Sequence, residues 1–342
     1  MDDLVDSLAA GFTVSDAEGY NTAAPHPQFS QYYKCRNRAA QSQEKRRQEQ
    51  LDRQKQKRAE TVDKARKLAY EEFEDDRLDH SRGRRSGAGR KTWQHRLYQD
   101  QLMLGEWFVE IPPDLAENWV MVPCPEGKRC LVVASNGKTK SYSKSGFCHG
   151  EFQSLCPGGS GMNAGDYSLL DCVFVELDAT FYVLDLLGWC KMPLLESETE
   201  FRFYWLKCKL EENPKLAIKS KLNTYRFVGL PTCPCTPEAM AELMESPMPF
   251  EKSKLDGLLF YHKQAHYESG STPLVGWLKP FMLPELLNVP VPQCYLQSPE
   301  SQKPLADYID SFDAQSKAGY NSAKWGDKNK MEAENGSGEG EG

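Results

Sequence analysis

Apolar residues are unevenly spread along the chain, and nearly all the aromatic and β-branched residues lie between about Leu97 and Leu296. Short polar turns separate strand-like runs in this region. Asn136-Gly137, between LVVAS and KTKSYS, is a strong hairpin signal, and LDAT (177–180) predicts a second hairpin. Helical patterns appear in ESETEFRFYWLKCKLEE and CTPEAMAELMESP. The pattern therefore predicts an α+β body over 97–295 with a large antiparallel component.

The chain before this body follows a different pattern. From Gln41 onward nothing breaks a helix, and Ser42 is a suitable N-cap. The apolar points along this helix are few, namely Leu51, Ala59, Val62, Ala65 and Leu68. Such a polar helix has no apolar stripe to hold it against a core. We therefore expect it to be solvated, or to become ordered on an acidic partner.

Charge divides the chain in the same way. Residues 1–20 carry five acidic residues and no basic one, whereas residues 26–67 carry 13 basic and five acidic residues, a net charge of +8. The net charge of −7 for all 342 residues describes neither part. Charged, Gly- and Ser-rich composition predicts a flexible linker over 69–96 and a mostly disordered tail over 296–342.

The first 14 residues, MDDLVDSLAAGFTV, predict an amphipathic helix with an acidic solvent face. Met1, Leu4, Leu8 and Phe12 share one helical face, and Val14 follows two residues later. Two interpretations remain open. The segment docks on the body of the same protein, or it fills an apolar groove on another protein. The five anchors resemble a leucine-rich nuclear export signal.

Several classes of protein do not fit the sequence. No apolar run approaches the roughly 18 residues of a membrane span, and the acidic start lacks the basic region of a secretory signal. We therefore expect no membrane association, and reduced thiols at the 11 cysteines. Cys233 and Cys235 are interpreted as packing residues, and His262 and His266 lack a third ligand in a recognisable pattern. We expect no metal and no cofactor.

The turn at 124–129, Cys-Pro-Glu-Gly-Lys-Arg, resembles the Lys-x-Asp-Gly-x-Arg turn of the covalent nucleotidyltransferases, which include mRNA capping guanylyltransferases and ligases. Further segments resemble strands of that family in the same order: LLDCV (169–173), YVLD (182–185), DGLLF (256–260) and TPLVGWLKP (272–280). The resemblance implies a nucleotidyltransferase (guanylyltransferase-like) domain with antiparallel sheets. In this chain a basic helical arm precedes it.

The departures from the family pattern remove the reacting groups. Cys124 occupies the position of the nucleophilic lysine, and Val173 that of the metal-assisting glutamate. Gly276 and Leu278 replace the lysines that flank the closing Trp277, and we expect them to open room and lower polarity beside the indole. Phosphoryl transfer needs the missing groups. We therefore expect a binding module and not an enzyme. The alternatives are an active guanylyltransferase or ligase, or a generic basic RNA-binding protein.

The basic arm, 21–68, resembles the importin-β-binding domain of import adaptors. An extended segment with tyrosines and basic residues is followed by a long basic helix, as in that domain. The resemblance implies importin-β contacts at Lys34, Arg36, Lys45, Arg46, Arg47, Arg53, Lys57 and Arg58. Direct binding of nucleic acid by the same arm is the competing interpretation.

An inert nucleotidyltransferase-like body behind such an arm is similar to the snurportin family. DQLMLGEWFVEIP (100–112) and GSTPLVGWLKP (270–280) extend the resemblance. It implies an adaptor that binds the trimethylguanosine cap of spliceosomal small nuclear RNAs and links their ribonucleoprotein to importin-β. An export receptor of the exportin class would then return it, so that it shuttles between nucleus and cytoplasm. The receptor would bind Met1, Leu4, Leu8, Phe12 and Val14.

The cap ligand has a chemistry that the candidate residues suit. A trimethylated guanine carries a delocalised positive charge, and a cation over a tryptophan face gains about 0.5–2 kcal/mol. The resemblance places Trp277 and Trp107 at the cap, although both could be ordinary core residues. It implies phosphate contacts from Lys128, Arg129 and Lys144, beside Cys124.

Overall fold

The computed structural model describes residues 42–56, 61–70, 95–250 and 252–316. The export-signal-like segment 1–14, the extended part of the basic arm, most of the linker and residues 317–342 lie outside the described residues. Within the described part of the chain, no helix is both long enough and apolar enough to cross a membrane.

Helices and strands alternate irregularly along the chain. The helices are α1 (Gln43–Gln56), α2 (Thr61–Tyr70), α3 (Leu115–Asn118), α4 (Thr199–Glu212), α5 (Pro237–Glu245), α6 (Leu283–Leu287) and α7 (Gln293–Leu296), and α8 covers 305–316. A single helical turn also covers 95–98. The strands are β1 (Met103–Trp107), β2 (Trp119–Pro125), β3 (Lys128–Ser135), β4 (Lys138–Ser143), β5 (Cys148–Phe152), β6 (Tyr167–Val175), β7 (Thr180–Trp189), β8 (Met192–Pro193), β9 (Arg226–Gly229), β10 (Cys233–Pro234), β11 (Leu255–His262) and β12 (Gly270–Leu278).

Two sheets form the body. The first has five strands in the order β1-β12-β11-β2-β10, and the second has the order β5-β4-β3-β6-β7-β8, with β9 also paired to β7. The pairs β1–β12 and β7–β9 are parallel, and the other pairs are antiparallel. The predicted α+β class with antiparallel sheets is confirmed.

The hairpins form where the turn residues predict them. Asn136 and Gly137 join β3 to β4 with φ angles of 51° and 78°, the left-handed region that a type I′ turn requires. The LDAT segment joins β6 to β7. Both helical patterns are also helices, α4 and α5, and the Thr236 hydroxyl caps α5 by accepting the Ala239 N–H at 3.3 Å.

A buried ion pair fixes α4 on the second sheet. The Arg202 guanidinium donates from Nε and Nη2 to the two carboxylate oxygens of Asp185 on β7, at 2.8 and 2.9 Å. Both side chains are fully buried. Arg202 also donates to the carbonyl of Ala265 at 2.9 Å, so that it ties together α4, β7 and the loop after β11.

The basic helix does not stand free in solvent, so that expectation is wrong for α1. It lies on the face of the five-stranded sheet that points away from the second sheet, where Arg46, Arg47, Gln50 and Gln54 are buried. The sequence pattern missed this docking because polar and charged side chains, and not an apolar stripe, make most of the contacts. Leu51 is the main apolar contribution, and it packs with Ala265 and Leu274.

The expected disordered tail, 296–342, is also partly wrong. α8 buries Leu305, Tyr308 and Ile309 in the main core, so residues 305–316 belong to the body. These residues follow the i, i+3, i+4 spacing of an amphipathic helix. The polar, low-complexity composition of the final residues masked that short signal.

Candidate functional site

Two tryptophans lie side by side on the inner face of the five-stranded sheet. Trp107 on β1 and Trp277 on β12 are register partners in a parallel pair, and Leu259 on β11 is the next partner in the row. Because side chains alternate across a strand, partners in register point to the same face. Cys124 on β2 lies opposite Gly257 of β11, so it joins this face one step further across the sheet.

Trp277 is the more accessible of the two indoles, and its position depends on a glycine. A Cβ at position 257 would overlap the six-membered ring of Trp277, so Gly257 leaves the room that this ring occupies against β11. The Lys279 ammonium lies 5.7 Å from the centroid of this ring and 2.6 Å from the Asp256 carboxylate. A partly exposed indole therefore stands beside an ion pair on the face that looks toward the second sheet. We call the space between the two sheets that Trp277, Cys124 and Arg129 border the cleft.

Trp107 is covered in this structure. Its indole N–H donates to the Asp313 carboxylate at 2.9 Å, and its ring meets the rings of Phe312 and Tyr308 edge-on, at centroid distances of 5.2 and 6.2 Å. All three partners belong to α8, and only 3% of Trp107 is exposed. The interpretation of Trp107 as a core residue, which the sequence left open, fits this geometry better than direct contact with a ligand.

Arg129 of β3 bridges the two sheets. Its Nε and Nη2 donate to Asp171 at 3.0 and 2.8 Å, and Nη2 also donates to the Met103 carbonyl on β1 at 2.8 Å. The Tyr267 hydroxyl donates to the same carboxylate at 2.8 Å and accepts the Met103 N–H at 3.0 Å. Asp171 is fully buried, so this network holds the guanidinium in one orientation.

Cys124 is poorly suited to be a nucleophile. Burial is the main reason that the pKa of its thiol is raised to about 12; the carboxylates of Asp256 and Asp171 act in the same direction, and the charges of Arg129 and Lys279 oppose the shift. A thiol with this pKa is protonated at neutral pH, and the protonated form is not the reactive one. The same charged neighbours show that Cys124 belongs to the cleft.

The other two predicted phosphate contacts, Lys128 and Lys144, do not lie on the same face as Arg129 of β3: Lys128 faces the other side of the sheet, and Lys144 follows the end of a strand. Lys128 precedes Arg129 on β3 and therefore points to the opposite face of the second sheet. There its ammonium pairs with Glu176 at 3.1 Å, beside a cavity of about 220 Å³. Lys144 follows the end of β4, where its carbonyl accepts the N–H of Asp100 at 2.9 Å. The structure therefore does not bring Lys128 to the cleft.

The expectation about Gly276 and Leu278 is wrong. Neighbouring residues of a strand point to opposite faces, so neither residue lies beside the indole of Trp277. A Cβ at position 276 would overlap the ring of Phe108 on the outer face, and Leu278 is completely buried in the core. Close packing of β12 explains both residues, and strict alternation along the strand could have predicted it.

Sequence inspection missed several polar residues of the cleft. Asp171, Asp256 and Lys279 all lie in the segments that resemble the nucleotidyltransferase strands, so those motifs could have pointed to them. Asp313 and Tyr267 carried no local signal, because their contacts join positions 206 and 96 residues apart. Among the described residues, no group of three or more His, Cys, Asp or Glu side chains is arranged to hold a metal ion.

The candidate arm residues fall into three sets. Arg46 and Arg47 are buried against the body, whereas Lys45 and Arg53 are exposed on α1. The other four lie outside the described residues: Lys34, Arg36, Lys57 and Arg58. So do the five anchors of the first segment, Met1, Leu4, Leu8, Phe12 and Val14.

Two protein-family models match the chain. The model described as the Snurportin1 m3G cap-binding domain covers residues 101–280, just over half of the chain. The model described as Snurportin1 covers residues 26–67. The two matches coincide with the body that contains the cleft and with the basic arm.

Solved structures of DNA ligases show a weaker likeness. The ligase domain of M. tuberculosis LigD is 15% identical over 52% of this chain and 58% of its own, with a TM-score of 0.35. A mycobacterial DNA ligase D complexed with ATP and MES is 13% identical over 53% and 59%, with a TM-score of 0.34. The chain thus spans less than two thirds of either ligase chain, and likenesses this weak carry no argument.

Proposed function

Because the chain belongs to the snurportin family, as the matched cap-binding domain shows, we propose that it is an import adaptor that joins trimethylguanosine-capped small nuclear RNAs to importin-β. The family is a nuclear import family that binds the m3G cap. Membership of this family supports a non-enzymatic role for the chain. The finer proposal is that the body holds the cap, the arm 21–68 binds importin-β, and an exportin-class receptor returns the protein through residues 1–14.

The observation that carries the cap assignment is the partly exposed Trp277 in the matched domain. The six-membered ring of its indole lies against Gly257, and we propose that the ring turns its other face to the cap. A methylated guanine cation would stack on that face, gaining about 0.5–2 kcal/mol beyond burial. Asp256 holds the Lys279 ammonium at 2.6 Å and partly neutralises it, which reduces its repulsion of a cationic base.

We assign the phosphates to the cationic side of the cleft. Arg129 uses Nε and Nη2 for Asp171 and Met103, while its Nη1 makes no hydrogen bond within the described residues. Its side chain is 22% exposed, so Nη1 can donate to a phosphate oxygen. Lys279 and Lys144 are the further proposed contacts. Lys128 is left out because it faces the other side of β3.

Competition binding with cap analogues tests the proposal. Trimethylated cap should displace a labelled trimethylated probe at a lower concentration than monomethylated cap, because two added methyl groups remove N–H donors and add apolar surface. Equal competition by both caps would contradict the cap assignment. A generic basic RNA-binding protein would instead show no cap preference and a steep loss of affinity with salt.

A further inference from the structure

The outer face of the five-stranded sheet holds α1 through paired charges. The Arg46 guanidinium meets the Glu106 carboxylate of β1 at 2.7 Å, with side chains only 5% and 10% exposed. Just beyond β1, the Glu110 carboxylate accepts the backbone N–H of Gln43 at 2.6 Å, at the first turn of α1. A carboxylate at this end satisfies helix N–H groups and complements the helix dipole.

Arg47 adds an aromatic contact to the same interface. Its guanidinium lies 5.2 Å from the ring centroid of Phe108 and 5.3 Å from that of Trp119. Nη2 donates to the Glu110 carbonyl at 2.6 Å, and Nη1 donates to Glu44 at 3.1 Å. The two arginines that lead the basic helix are therefore covered by the body.

The rest of the helix is held by glutamines. Gln43 donates to the Trp107 carbonyl at 2.9 Å, and Gln50 donates to Glu268. Gln54 donates to the Gln264 carbonyl at 2.6 Å and accepts the His266 N–H at 3.0 Å. These contacts fix both the register and the direction of α1 along the sheet.

The docked helix also carries a cost that favours release. Arg47 Nε is buried without a hydrogen-bond partner among the described residues, and burial lowers the pKa of Arg47 despite the opposing charges of Glu44, Glu110 and Glu106. Burying a cation whose N–H donors are not all hydrogen-bonded costs free energy. The interface is therefore specific, but it does not hold the arm as firmly as an apolar core would.

We propose that this outer face is a docking surface for the protein's own basic helix, and that docking and binding to the import receptor exclude each other. The proposal rests on the proposed function, since it takes importin-β as the competing partner. An acidic receptor that wraps the basic helix must contact Arg46 and Arg47, which the body covers. The surface formed by Glu106, Phe108, Glu110 and Trp119 is thus an internal competitor.

The fraction of molecules whose arm is docked on the body determines how much weaker the apparent affinity for the receptor is. If the arm is docked in about nine molecules of ten, the apparent receptor affinity is about tenfold weaker than that of a free arm. Changes on the body side of the interface should recover that factor without altering the arm sequence. Glu106→Gln and Glu110→Gln remove the two carboxylates and keep the side-chain size. Glu151→Gln is the matched control, because Glu151 pairs with Lys138 on the other sheet.

The experiment is a titration of importin-β into the 342-residue chain, with hydrogen exchange followed across 43–56. The double variant Glu106→Gln/Glu110→Gln should bind importin-β about fivefold to tenfold more tightly than the wild type. Its α1 amides should exchange faster, and its thermal melt should show a folded body. Glu151→Gln should match the wild type in both measurements.

Two results would overturn the proposal. One is unchanged receptor affinity in the double variant although its α1 amides exchange faster. The other is wild-type α1 that exchanges as fast as a free peptide of residues 26–68, which would leave the surface unoccupied in solution. If the free peptide does not bind importin-β, while α1 remains protected in the full chain, the proposed function fails and the docking surface itself stands.

Discussion

At the scale of single residues, the charged side chains of the cleft are fixed by hydrogen bonds and ion pairs, and its cysteine is not activated for a covalent reaction. Arg129 is locked by Asp171 and Met103, and Lys279 by Asp256. Cys124, at the position that resembles the nucleophile of nucleotidyltransferases, is a buried thiol whose pKa is raised to about 12. A covalent step needs an activated nucleophile, which this thiol is not.

The buried, protonated thiol of Cys124 predicts that no protein-bound nucleotide forms at the position that resembles the nucleophile. The chain should carry no label after incubation with radiolabelled GTP or ATP and either magnesium or manganese, followed by a denaturing gel. An active guanylyltransferase in a parallel lane provides the positive control. A labelled band for this chain that survives denaturation would show that it is an enzyme.

The lowered pKa of His262 predicts that the body loses stability at acid pH. Burial lowers its pKa to about 4, assisted by Arg47 and opposed by Asp114. The unfolded state takes up this proton near pH 6.5, whereas the folded state resists until about pH 4. The folded state therefore loses stability as the pH falls through this window, by about 3 kcal/mol in all. Above about pH 6.5 His262 is neutral in both states, so it adds no pH dependence to the free energy of unfolding.

The measurement is urea unfolding of the wild type and His262→Asn at several pH values between 4 and 7. The asparagine oxygen can still accept the Gln264 N–H that Nδ1 accepts at 3.2 Å. The difference in unfolding free energy between the two proteins should therefore change with pH in the variant's favour toward pH 4. A pH-independent difference would contradict the assigned pKa.

At the scale of elements, helices are attached to the two sheets by buried polar contacts as well as by apolar packing. α4 is fixed to β7 by Arg202 and Asp185, and α1 is fixed to β1 by Arg46 and Glu106. The ring of Trp107, on the opposite face of β1, is covered by α8. β1 therefore contacts the docked arm through one side and α8 through the other.

Breaking the buried ion pair between Arg202 of α4 and Asp185 of β7 should destabilise the body strongly. Arg202→Leu leaves the Asp185 carboxylate buried without its partner, a change that typically costs about 3–5 kcal/mol. Chemical denaturation should show this loss. The double variant Arg202→Leu/Asp185→Asn should recover part of it, because an unpaired amide is cheaper to bury than an unpaired charge. Equal stability of wild type and single variant would mean that the pair is solvated.

At the scale of the whole molecule, the sequence predicts features that depend on neighbouring residues. The hairpins at Asn136-Gly137 and at LDAT, and the helices α4 and α5, follow from local turn and capping chemistry. Docking of α1 does not, because Arg46 meets a carboxylate 60 residues away and the helix has few apolar positions. The covering of Trp107 by α8 depends likewise on contacts between distant residues.

The candidate site shows the same division. Trp277, Cys124 and Arg129 lie in short motifs that the sequence shows directly, whereas Trp107 rests on the resemblance to the snurportin family. Strand alternation then decides which motif residues share a face, and it excludes Lys128, Gly276 and Leu278 from the side of Trp277. The polar residues that hold Arg129 and Lys279 in place come from three different parts of the chain, and pattern alone does not bring them together.

The most direct test of the account is a titration of trimethylated cap into the wild type, Trp277→Ala and Trp277→Phe, with thermal melts of all three. Removing the indole should cost at least about 1–3 kcal/mol of binding, the range for loss of an aromatic stacking platform. Trp277→Phe should lose less, because an aromatic face remains, and all three proteins should be folded. If Trp277→Ala binds the cap as tightly as the wild type, or unfolds the domain, then Trp277 is a core residue and the cap does not stack there.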